Sequence, residues 1–104
     1  MPTNERNSRI KRDRRTLIGA LNMVWPGSLP GEELFMIVLA VNPEYTRTFL
    51  VRDMTYLNAK GYAGFKGLHG IDAMRITVAD CAFFLTAAGT DVANQMVIDP
   101  TLDV

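Results

Sequence analysis

Phe49-Leu50-Val51-Arg52-Asp53-Met54-Thr55-Tyr56-Leu57-Asn58-Ala59-Lys60-Gly61-Tyr62, followed further along by Phe84-Leu85-Thr86-Ala87-Ala88-Gly89, decides how this chain folds. In the first stretch Leu50, Met54 and Leu57 recur at spacings of four and three, with Val51 beside them, so these side chains are expected to face a core. Arg47, Thr48, Arg52, Thr55 and Asn58 then fall largely outside. Gly61 directly after Lys60 marks a helix C-terminus that turns straight into a strand. The second stretch reads as a strand passing into a short helix.

Working upstream, Asn42-Pro43-Glu44-Tyr45 makes a turn, and either Asn42 or Thr46 can cap the helix that runs to about Lys60. A preceding helix is expected from Gly31 to Val41, with Leu34, Ile37, Val38 and Val41 on one face and Glu32 and Glu33 favourable to its N-terminal dipole. It is apolar all round, which predicts the most buried helix of the fold. Trp25-Pro26-Gly27-Ser28-Leu29-Pro30-Gly31 is too rich in Pro and Gly for regular structure, with Leu29 as its inward anchor. From about Glu5 to Val24, Ile10, Leu17, Ile18, Leu21 and Val24 form one face of an amphipathic helix that Asn4 can cap and Pro26-Gly27 ends. Its apolar stripe is dense only after residue 16. The first dozen residues are therefore expected to extend beyond the core, toward DNA or a second subunit.

Downstream, Tyr62 to Lys66 alternates as a first strand, Gly67 to Asp72 reads as a turn, and Cys81 to Thr86 as the return strand. Between them Ala73 to Asp80 is expected to continue the hairpin, strand-like through Arg75-Ile76-Thr77-Val78. A short helix follows from Ala87 to about Asn94, weakened by Gly89. Residues 96–104 contain Asp99-Pro100, show no periodicity, and are expected to form an extended tail.

A chain of 104 residues supports one modest core, and 48% hydrophobic with 21% charged residues is a globular composition, which excludes a disordered chain. No apolar run approaches the roughly 18 residues needed to span a bilayer. The Arg-rich N-terminus has no apolar core or cleavage site of a secretory signal, so a cytoplasmic location is expected. Cys81 is the only cysteine, set among apolar neighbours as a small buried hydrophobe. Charge is balanced overall but unevenly placed. Residues 1–15 hold six cations, Arg6, Arg9, Lys11, Arg12, Arg14 and Arg15, against Glu5 and Asp13, whereas the remainder is acidic by the same margin. A polyanion would be met by the first helix and a few placed cations.

Helix, anchor residue, helix, helix, hairpin and short helix, taken in order, give an α+β, mostly α layout: a winged helix-turn-helix with three helices, a β-hairpin wing and a short C-terminal helix. The wording of the sequence agrees. Val51 to Tyr62 is similar to the end of the recognition helix in small bacterial winged-helix proteins, and Phe84 to Ala93 is similar to the motif that closes the wing in PadR-like and MarR-like regulators. Over most of residues 9–95 the chain resembles a group of short winged-helix proteins of Mu-like bacteriophages and prophages. On this division residues 1–15 are a basic N-terminal arm and the start of the first helix, 5–95 the winged-helix domain, and 96–104 the tail.

The resemblance implies double-stranded DNA binding, by a phage or prophage regulator or DNA-associated factor. In a helix-turn-helix the second helix presents its N-terminal half to base edges, here Arg47 and Thr48, with Arg52 further along. Lys66, His69 and Arg75 on the wing would add backbone contacts, and Arg12 and Arg15 on the first helix would add charge. Each cation also reads as a solvated surface charge, with Arg52 beside Asp53 and Arg47 near Glu44 as ready ion pairs. The alternative is a non-enzymatic protein-interaction or assembly module, whose partner is a phage or host protein. The acidic body favours it, with Trp25, Tyr45, Phe49 and Tyr56 as candidates for an apolar patch. A ligand-sensing regulator would need a pocket that a domain of this length has little room for, and Met23, Met36 and Met54 fall at core-facing or near-core positions. A homodimer would follow from the apolar surface of the first helix, with Trp25 at its end.

No enzyme is expected. One His and one Cys supply neither a nucleophile–base pair nor a metal cluster, and Gly61, Gly64, Gly67 and Gly70 follow a helix where a phosphate loop would precede one. No metal or cofactor is expected.

Overall fold

The structure is a computed structural model that describes residues 2–67, 81–96 and 99–100, with side chains from Ser8 onward. Expectations for His69, Arg75, the rest of the wing between 68 and 80, and most of the tail lie outside the described residues. The elements run α1 (Pro2–Val24), β1 (Ser28–Pro30), α2 (Gly31–Val41), α3 (Arg47–Ala59), β2 (Ala63–Gly67), β3 (Cys81–Leu85) and α4 (Ala87–Ala93). The fold is α+β and mostly helical, with a small antiparallel sheet of order β1-β3-β2. That order, with α2 and α3 inserted between β1 and β2, is compatible with a winged helix-turn-helix layout.

Thr46 caps α3, its hydroxyl accepting from the Phe49 amide at 3.1 Å. Leu50, Met54 and Leu57 are buried as their spacing predicts. Gly61 ends the helix at φ +80°, a left-handed conformation that costs glycine least. The chain then enters β2, which pairs with β3 from Ala63↔Leu85 to Gly67↔Cys81. In β3 the alternation is complete, with Cys81, Phe83 and Leu85 turned inward. Thr86 starts α4 by accepting from the Gly89 amide. The core is closed by Leu17, Ile18 and Leu21 of α1, which packs against α2, α3, α4 and the sheet.

Several expectations are corrected. Helix α1 begins at Pro2, so Asn4 lies within the helix and not at the position before it. Contact with the body begins before residue 16, since Asp13 is buried and exposed Arg9 reaches Glu44, while Ser8 to Arg12 hold no buried side chain. The Trp25–Gly31 segment holds a strand, because Ser28, Leu29 and Pro30 pair with Phe84, Phe83 and Ala82. Proline is tolerated there because β1 is an edge strand. Leu29 packs against the core only partly buried.

The largest revision concerns α2. Its core face is Gly31, Leu34, Phe35 and Val38, while Met36, Ile37 and Val41 are exposed. Among the described residues it still buries the largest share of any helix, as expected, but on one face only. Val51 is also exposed, as are Met23 and Met36, which leaves Met54 as the core methionine of the three. Of the four aromatic candidates for a patch, Tyr45 is core and Tyr56 packs against the core, whereas Trp25 and Phe49 are exposed. The described part of the tail returns to the body: Asp99 is buried, accepts from the Tyr62 hydroxyl at 2.7 Å, and pairs with Lys60 at 3.3 Å. That bond pushes the Tyr62 phenol up to about 12.

Candidate nucleic-acid interface

Helix α3 has a core side, an outward side and, between them, a polar seam. On the outward side Arg47 and Thr48 are both exposed at the first turn. Arg47 makes a two-pronged ion pair with Glu32 at the start of α2, Nε to Oε1 at 2.9 Å and a terminal nitrogen to Oε2 at 3.0 Å. Its guanidinium also lies 4.6 Å from the centre of the Phe35 ring. The Arg47–Glu32 pair lowers the Glu32 pKa and raises that of Arg47, each through the hydrogen bond first. The partner is thus Glu32, and not Glu44, which instead meets Arg9 at 3.5 Å between two exposed side chains.

Arg52 is placed differently from its outward expectation. Its guanidinium turns back onto Asp53, Nε to Oδ1 at 3.0 Å and a terminal nitrogen to Oδ2 at 3.1 Å, and covers the Phe49 ring at 4.5 Å. Asp53 is fully buried. It also accepts from Arg14 Nε of α1 at 3.1 Å and from the Tyr45 hydroxyl at 2.8 Å. Arg14 in turn stacks 3.7 Å over Tyr56. One carboxylate therefore ties α1, the turn before α3 and α3 itself, and burial with the Asp53 charge drives the Tyr45 phenol far above its usual range. Asp53 and Arg14 escape notice in the sequence as organising residues. The available signal was that Asp53 shares the helical face of Leu50, Met54 and Leu57.

Asp13 on α1 forms a second polar anchor. Both its oxygens accept from Asn42 Nδ2, at 3.3 and 3.2 Å, while Asn42 Oδ1 accepts from the Glu44 amide. Burial holds the Asp13 pKa above its ordinary value, offset in part by the Asn42 bond and reinforced by Asp53. Because the folded-state pKa lies above the unfolded value of 3.8, the favourable contribution is present below that value and is lost as pH rises through the folded pKa. Asp13→Asn keeps an acceptor for Asn42 and removes the buried charge. It should therefore stabilise the protein at about pH 7 and lose that advantage toward about pH 4 and below. Denaturant titrations at the two pH values check this; an equal effect at both would refute it.

The remaining candidates lie apart. Arg12 and Arg15 are exposed on α1, and Lys66 is exposed on β2 with its ammonium 5.6 Å from the Phe84 ring centre. Asn58 donates to the Ala63 carbonyl at 3.0 Å and so joins the helix end to the strand. Val41, Asn42, Pro43 and Glu44 face Arg9, Arg12 and Asp13 across an open cleft of about 330 Å³. The structure thus brings Arg47 and Thr48 together, commits Arg52 to the fold, and leaves Arg12 and Arg15 on α1 and Lys66 on β2. Among the described residues no group of His, Cys, Asp and Glu could hold a metal ion, and no helix is long and apolar enough to cross a membrane. No protein-family model, no curated protein and no solved structure matches the chain.

Proposed function

We propose that this chain is a non-enzymatic, double-stranded DNA-binding protein of the winged helix-turn-helix kind, acting as a phage or prophage regulator or DNA-associated factor. The observation that supports the reading is the stance of α3. Its Leu50, Met54 and Leu57 side is sunk in the core, while its capped first turn lifts Arg47 and Thr48 into solvent, as a recognition helix requires. In the unbound chain Glu32 occupies the fork of Arg47 that a phosphate or guanine would take. Exposed pairs of this kind contribute little to stability, so the carboxylate is readily exchanged for a polyanion. Arg12, Arg15 and Lys66 add phosphate contacts. Arg52 is assigned to the fold through Asp53.

A second reading, a protein-interaction or assembly module, is favoured by the apolar side chains that α2 leaves in solvent together with the carboxylate partners of both α3 arginines. A salt series with random-sequence duplex DNA separates the two. DNA binding predicts affinity that falls steeply with salt, and Arg47→Ala and Arg12→Ala should each weaken it and reduce the log–log slope by about 1. Both side chains are exposed, so their loss should leave the unfolding midpoint close to that of the parent. Negligible binding by the intact chain at low salt, to random and to operator-like duplexes alike, would overturn the DNA reading in favour of assembly.

A further inference from the structure

Helix α3 turns a ridge of methyl groups to solvent. Leu50, Asp53, Met54 and Leu57 take its inner side, and on the other side Thr48, Val51, Thr55 and Ala59 follow one another at spacings of three, four and four. All four are exposed, Val51 at 48%. Each carries at least one methyl group, and the ridge they form is about 16 Å long.

The ridge is also uncharged. Arg52, whose helical position would place it there, bends back to Asp53 and covers the Phe49 ring. Asp53 is the only acidic residue of α3 and is fully buried, so no carboxylate of the helix opposes a phosphate. The carboxylates at its two ends are engaged, Glu32 by Arg47 and Asp99 by Lys60.

That composition selects among base pairs. In the major groove guanine presents two acceptors that the fork of an arginine satisfies, whereas thymine alone of the four bases carries a methyl, which apolar and threonine side chains contact. Between Thr48 and Ala59 the outward side of α3 offers no such fork. It offers apolar surface against which a thymine methyl would lose its contact with water. The threonine hydroxyls can bond either kind of base edge, so the methyl groups make the choice.

We propose that α3 reads thymine methyl groups in A·T-rich duplex DNA through Thr48, Val51, Thr55 and Ala59. The inference rests on the DNA-binding reading and gives it a preferred class of sequence.

Fluorescence anisotropy at one fixed low salt concentration tests it with three duplexes of equal length: alternating A·T, the same duplex with every thymine replaced by uracil, and alternating G·C. Uracil lacks the methyl and keeps every hydrogen-bonding edge. The parent should bind the A·T duplex at least about fourfold more tightly than the uracil duplex, the effect of burying a single methyl, and about tenfold more tightly than the G·C duplex. Thr55→Ser removes a methyl and keeps the hydroxyl. It and Val51→Ala should each weaken A·T binding about threefold while changing uracil-duplex binding by less than about 1.5-fold, because the partner methyl is already gone. Both positions are exposed, so circular dichroism of the variants should match the parent. Equal affinity for the thymine and uracil duplexes, or a preference for G·C, overturns the proposal and leaves DNA binding standing. A variant loss that is the same on the thymine and uracil duplexes also overturns it. Binding to none of the three overturns this proposal and the DNA-binding reading together.

Discussion

Asp53→Ala should lower the unfolding free energy by about 3–5 kcal/mol, the cost of removing one member of a buried ion cluster. The carboxylate makes four hydrogen bonds, two from Arg52 and one each from Arg14 and Tyr45. The Arg14 side chain is only 14% exposed, and the Tyr45 ring is buried. Removing the carboxylate strands a largely desolvated guanidinium and a buried hydroxyl together, and water cannot reach both without opening the joint between α1 and α3. A domain of this size has about 5–15 kcal/mol in all, so the loss removes a large share of it. Tyr45→Phe deletes one bond and leaves both guanidinium partners, and should cost about 1–2 kcal/mol. Urea unfolding followed by circular dichroism measures the series. A loss below about 1 kcal/mol for Asp53→Ala would mean that the cluster does not hold the helices together.

Gly89→Ala should destabilise by about 2–3 kcal/mol, near the upper end of what overpacking a core position costs. A methyl group at this position would collide with the carbonyl oxygen of Tyr62 and come within 2.7 and 2.9 Å of the Leu85 side chain. Leucine can adjust its rotamer. The carbonyl cannot retreat freely, because it accepts the Thr86 amide at 2.9 Å and so belongs to the junction between β3 and α4. The chain must therefore separate α4 from the β2 end of the sheet. Gly19→Ala is the matched control, since a methyl group there meets nothing within 4 Å on the exposed side of α1. Helix propensity then acts alone, and this change should stabilise by about 0.5–1 kcal/mol. Thermal or denaturant unfolding of the two variants should shift in opposite directions. Equal shifts would show that Gly89 is a mere helix weakener, as its sequence context suggests.

The contrast between these glycines explains how far the sequence could be read. Gly61 was legible because its need arises locally, at the end of a periodic helix that must reverse. Gly89 was not, because its reason is a carbonyl on a residue far away in sequence. Likewise Thr46, Leu50, Met54 and Leu57 announce α3, and the alternation of Cys81, Phe83 and Leu85 announces β3. Three-residue β1 has no such pattern, for a strand that short exists only by virtue of its pairing with β3. In α2 the periodicity is saturated, so apolar spacing could not choose between Ile37 with Val41 and Phe35 with Val38 as the inward pair. The candidate site followed the same division. Exposure of Arg47 and Thr48 came from helical phase, and the pairing of Arg52 with its neighbour Asp53 from adjacency, but the distant partners of the cations did not. Arg47 and Glu32 are fifteen residues apart, and Arg14 and Asp53 thirty-nine.

Residue order alone determines the α+β class, the run of helices, the cap and stop of α3, the strand–helix passage at Thr86 and the concentration of positive charge in residues 1–15. These follow from dihedral preferences, capping bonds and periodic burial, all of which act within one or two turns of chain. Tertiary structure alone decides that Arg52 serves the fold, that Arg47 is held by Glu32, that Asp13 and Asp53 are buried, and that α2 shows an apolar stripe to solvent. Each is a question of which surface meets which across long sequence separations. A helix packed by α1 on one side and the sheet on another keeps whatever face remains, and an ion pair forms wherever that packing brings two charges within reach.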